Sequence, residues 1–145
     1  MNEYIEKISN LIPIHVKNIN WIRVEATFTC VSIYSQLLGK VTLTDSKRKL
    51  FSFWNGNYQE DPTALLISLR ELMGKEQEKK GAWYIARMEI PKNGKFNIQF
   101  DYDTKPDLSF EIPDEVFIED FEQFPRDEQY IPDWLREILV RHGKL

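Results

Sequence analysis

The chain has 145 residues, of which 42% are hydrophobic, 29% charged and 13% aromatic, with a formal net charge of -4. That length suits one domain with a real core and no staples, and the composition excludes wholesale disorder. Apolar runs stop at four or five residues, as in Ala64–Ile67, so no transmembrane helix is expected. The amphipathic, acidic start Met1-Asn2-Glu3-Tyr4 is not a secretory signal. A lone cysteine, Cys30, fits a reducing cytoplasm, and mild acidity argues against a general nucleic-acid binder.

In chain order, Tyr4, Ile5, Ile8, Leu11 and Ile12 recur at helical spacing, predicting a short helix over Asn2–Leu11 that Pro13 ends. Ile22, Val24, Ala26 and Phe28 alternate with polar neighbours, predicting a strand over Asn20–Phe28. Extended segments follow at Val31–Leu38 with Val41–Thr44, then at Leu50–Trp54, separated by the polar turn Asp45–Arg48. Asp61-Pro62 is a helix start, and Leu65, Leu69, Leu72 and Met73 form an apolar stripe, with Arg70 among the charges on the solvent side and Gly81 as the stop.

Trp83–Ile90, the turn Pro91–Gly94 and Lys95–Asp103 form a β-hairpin. In its second strand Phe96, Ile98, Phe100 and Tyr102 share one face. Helical turns are expected at Asp114–Phe121. A final helix runs from Pro132 to about His142, with Trp134, Leu135, Ile138 and Leu139 inward. The predicted fold is a single α+β domain spanning residues 1–145. Its sheet is mostly antiparallel, of about five strands, with N-terminal, central and C-terminal helices.

Catalytic chemistry finds no foothold. His15 and His142 lie near opposite ends without a motif, and Cys30 has no flanking signature. Such a set cannot supply the four close N/S ligands of a structural zinc. No phosphate-binding glycine pattern occurs. The run from Asp101 to Asp107 fails as a calcium loop, because Pro106 stands where glycine is needed and Ile112 where glutamate is needed. The chain is therefore expected to be non-enzymatic, with no metal and no cofactor.

Charge is distributed unevenly. Residues 101–137 hold 13 carboxylates against Lys105, Arg126 and Arg136, a local charge of -10, which leaves +6 for the rest. Phe110, Phe117, Phe121, Phe124, Tyr130 and Trp134 interrupt the acidic run, so it is predicted to be ordered. An ordered acidic surface suits a basic partner, and a solvated face without a partner is the plainer alternative.

The segment Gly81–Asp103, with Trp83, Gly94-Lys95-Phe96 and Phe100-Asp101-Tyr102-Asp103, resembles the hairpin of the YezG-like immunity (antitoxin) family. The stretch from Phe121-Glu-Gln-Phe-Pro125 to Tyr130-Ile-Pro-Asp-Trp134 is similar to bacterial toxin-immunity proteins of this kind. The likeness is best over residues 81–137; the first 60 residues share only the order of elements. It implies a cytoplasmic protein that neutralises a cognate toxin domain, commonly a nuclease in such systems. No catalytic residues carry over.

Together these readings make Asp101, Asp103, Asp107, Glu111, Asp114, Glu115, Glu119 and Asp120 the candidate toxin-binding carboxylates, pairing with Lys or Arg of a basic nuclease. Tyr130 and Trp134 are candidate aromatic anchors, in the core or at the interface. Neither nucleic acid nor membrane is an expected direct partner. An adaptor or regulatory module for another basic cytoplasmic protein is the competing reading.

Overall fold

Alternation along the central strand organises the molecule. In the computed structural model, which describes residues 1–145, β1 (Trp21–Val31) buries Val24, Ala26, Phe28 and Cys30 on one face and turns Arg23, Glu25 and Thr27 to the other. The remaining strands are β2 (Tyr34–Leu43), β3 (Arg48–Phe51), β4 (Ile85–Pro91) and β5 (Asn97–Asp101). They form one five-stranded sheet in the order β3-β2-β1-β4-β5, antiparallel at every junction. The predicted α+β class and antiparallel sheet are therefore observed.

Two strand boundaries differ from the sequence pattern for physical reasons. β2 is continuous through Gly39, where a Cβ would lie 2.7 Å from the rings of Phe51 and Phe53. The glycine that interrupts the apolar run is the point where two aromatic rings cross the sheet. β3 ends at Phe51, before Trp54, because Phe53 turns into the core and Trp54 turns out.

Helices α1 (Asn2–Leu11) and α2 (Thr63–Glu76) cover the apolar face. Ile8, Ile12 and Val16 enter the core from α1 and the 3₁₀ turn after it, where Pro13 sits. Helix α2 starts one residue later than its Asp-Pro pair predicts: Pro62 is the N-cap, and Asp61 Oδ1 accepts the Thr63 amide at 2.9 Å from just outside the helix. The buried stripe of α2 is Leu66, Leu69 and Met73; Leu65 and Leu72 are only half-buried. Arg70 corrects the predicted stripe most sharply: it points inward and is 3% exposed. Gly81 is not the stop either, since α2 ends at Glu76 and Gly81, at φ 84, shapes the loop beyond.

The rest of the chain makes a second, smaller core. Helices α3 (Asp114–Gln123) and α4 (Asp133–Arg141) pair with each other. They bury Val116, Phe117, Ile118, Leu135, Ile138 and Leu139 against Val31, Tyr84 and Ile85. Ten buried residues form this cluster, against 17 beneath the sheet.

Candidate functional site

The acidic segment is fixed to α2 by a buried ion pair. Arg70 Nη1 and Nη2 donate to Asp120 Oδ1 and Oδ2 at 2.8 and 2.9 Å, and Arg70 Nε donates to the Trp83 carbonyl at 2.6 Å. Asp120 Oδ1 also accepts the Ser32 amide at 2.7 Å, in the β1–β2 turn where Ser32 adopts φ 52. Both charges are thus saturated, which is the condition under which a buried pair is tolerated. Burial works against the Arg70 charge, and the Asp120 carboxylate more than offsets it, raising the guanidinium above its ordinary value.

A second arginine holds the next stretch. Arg126 is buried and donates to the carbonyls of Tyr130 and Ala82 at 2.9 and 3.1 Å. Its guanidinium lies 4.8 Å from the centre of the Tyr84 ring. A side chain on Gly81 would run into Arg126. Burial, only partly countered by Arg126, pushes the Tyr84 hydroxyl up to about 12. The Trp134 ring lies 5.3 Å from those of Tyr84 and Phe117, and its Nε1 donates to the Asp103 carbonyl at 2.6 Å. Trp134 is therefore occupied within the fold. Tyr130 is 39% exposed, and only its backbone carbonyl is engaged by Arg126.

The eight candidate carboxylates divide into two groups. Asp101, Asp114 and Asp120 have internal partners. Burial raises the Asp101 carboxyl, but the Thr104 and Asp103 amides and the Arg87 guanidinium at 2.9 Å outweigh it and hold Asp101 well below the usual range. Asp114 is lowered first by His142 and then by Arg141, both at 2.9 Å. Asp103, Asp107, Glu111, Glu115 and Glu119 are exposed. Of these, only Glu119 has a side-chain hydrogen bond, accepting from Ser32 Oγ at 3.4 Å.

Asp107, Glu111 and Asp114 line one surface depression of about 430 Å³ together with Phe110. Phe110 is half exposed and edge-on to Tyr34, with ring centres 5.2 Å apart. Glu115 and Glu119 continue the acidic line along α3, one turn apart. Lys105 and Arg141 also line the depression, so it is not uniformly negative. Sequence reasoning missed Arg70, Arg126 and Ser32. The one available signal for Arg70 is its position four residues after Leu66 and three before Met73, on the buried side of α2.

An antiparallel α+β domain that presents an ordered acidic face is the class that fold and surface define. Comparison with known families places the chain more narrowly: residues 2–132 match the family described as "Immunity protein YezG-like". The chain belongs to that family, and an immunity family implies a cognate toxin as partner. The match reaches well into the N-terminal half, where the resemblance rested only on the order of elements. No curated protein matches the chain. No helix is long and apolar enough to cross a membrane.

Proposed function

We propose that this immunity protein binds and neutralises a nuclease toxin domain by covering its basic, phosphate-binding surface with the acidic face of residues 101–137. The observation that carries this reading is the set of exposed carboxylates Asp103, Asp107, Glu111, Glu115 and Glu119 on a segment anchored by Arg70 and Arg126. A nuclease surface is rich in Lys and Arg because it must hold phosphates. Carboxylates held at fixed positions pair with those cations without first being ordered. Complementary charge also accelerates encounter, which suits an inhibitor that must act before damage accumulates.

Triple replacement D107K/E111K/E115K tests the idea, because all three side chains are exposed and the fold should survive. Co-expression with the toxin encoded beside this protein should lose protection. The association rate should fall by about a hundredfold at low salt, and its salt dependence should flatten. Unchanged affinity and unchanged salt slope would refute charge-complementary docking. If the purified toxin cuts neither DNA nor RNA, the nuclease assignment fails even where binding stands.

A further inference from the structure

The sheet has two free edges of opposite character. At one, β5 carries no lysine or arginine between Asn97 and Asp101. At the other, β3 follows Lys47 with Arg48, Lys49 and Leu50, all exposed. No carboxylate lies within ion-pair distance of Lys47, Arg48 or Lys49. The β2 register fixes which backbone groups are free. The Leu43 amide donates to the Lys47 carbonyl at 2.8 Å, and Val41 stands opposite Lys49. Antiparallel alternation then turns Lys49 and Phe51 toward β2, and leaves the amides and carbonyls of Arg48 and Leu50 facing outward.

Apolar contacts flank this edge. Leu50 is 79% exposed. Just beyond β3, Trp54 and Tyr58 are exposed with their rings 4.6 Å apart. Their loop is braced, since Asn55 and Asn57 both donate to the Glu60 carboxylate. The three cations discourage β3 from pairing with β3 of a second copy, because an antiparallel join would set Lys and Arg against Lys and Arg. The same cations favour a strand that carries carboxylates.

We propose that β3 is a docking edge for an extended acidic segment of a partner protein, which adds to the sheet as a sixth strand beside Arg48 and Leu50. Main-chain hydrogen bonds would supply register. Lys47, Arg48 and Lys49 would select acidic side chains, and Leu50, Trp54 and Tyr58 would take apolar ones. This edge lies on the positive part of the chain and is separate from the acidic segment.

Amide NMR on the full chain tests it, with a synthetic peptide of alternating Glu and Val as probe and a Lys–Val peptide and oligo(dT) as competing arms. The Glu–Val peptide should shift the Arg48 and Leu50 amides and slow their hydrogen exchange, and the Lys–Val peptide should not. The variant K47E/R48E/K49E should weaken binding by about tenfold or more. Leu50→Pro should abolish it while leaving the Lys49 amide protected, since the amide it removes faces outward. Absence of protection at Arg48 and Leu50, binding insensitive to charge reversal, tighter binding of oligo(dT) at these residues, or a dimer formed through them would each overturn the proposal.

Discussion

The core beneath the sheet and the core around α3 and α4 are held by different physics. The first is apolar throughout: Phe28, Leu66, Leu69 and Trp83 are buried, and the strands carry a period-2 pattern. The second is smaller: it meets the sheet at Val31 and Ile85, and it is also tied by polar contacts, Asp120 to Arg70 on α2, Arg126 to the Ala82 carbonyl and Trp134 to the Asp103 carbonyl. Apolar packing is non-directional and tolerates small shifts of position. Charged, bidentate contacts demand fixed geometry. The candidate docking face therefore sits on the part of the molecule with the smaller core and the more directional attachment.

The sharpest way to break this contrast is Asp120→Ala. It leaves Arg70 charged in the interior and should cost about 3–5 kcal/mol, lowering the melting temperature by roughly 10 °C or more. The double variant R70M/D120L should recover much of that loss. A double variant as unstable as the single one would show that the pair does more than neutralise itself. Hydrogen exchange should place the opened region of Asp120→Ala in α3 and α4, with the β1 and β4 amides protected; uniform loss of protection would mean that the two cores unfold as one unit.

Gly74→Val comes next. A Cβ at Gly74 would lie 2.6 Å from the Phe124 ring, so α2 and the segment after α3 must separate. A loss of about 1–3 kcal/mol is expected in chemical denaturation. Trp134→Phe keeps a ring beside Tyr84 and removes the bond to the Asp103 carbonyl, for roughly 1 kcal/mol. An unchanged midpoint would show that stacking alone holds α4.

The smallest effect concerns acid. The Asp101 carboxyl sits below its unfolded value, so its contribution to stability is complete above about pH 4 and fades as pH falls through the folded value. Asp101→Asn should therefore lower stability at neutral pH and flatten the decline on acidification. An acid limb of unchanged steepness, followed by circular dichroism, would remove Asp101 from this role.

Much of the first core was legible. Alternation in Val24–Phe28 and Phe96–Tyr102 places the strands, although an irregularity between Trp21 and Arg23 buries Trp21 and exposes Ile22 against the pattern, and Asp61-Pro62 marks the start of α2. The α2 stripe was rotated because Leu65 and Leu72 are as apolar as Leu66 and Leu69, and spacing alone does not say which pair faces in. In the sequence Arg70 reads as a surface charge because its partner lies 50 residues away, and nothing local announces the pairing. The acidic run showed that α3 carries charge, but not which carboxylates are engaged inside. That division between Asp120 and Glu119, adjacent in sequence, follows from the helix turning one inward and its neighbour outward.

The span between Arg70 and Asp120 has a temporal side as well. During synthesis the guanidinium leaves the ribosome first and waits for the remaining 50 residues, a delay of roughly 3–10 s at usual elongation rates. Until α3 emerges, the Arg70 guanidinium on α2 has the Trp83 carbonyl as a protein acceptor but no carboxylate to neutralise it. A chain truncated before residue 120 never resolves that fault. Closure of this pair therefore comes late in synthesis, and it joins two helices made well apart in time.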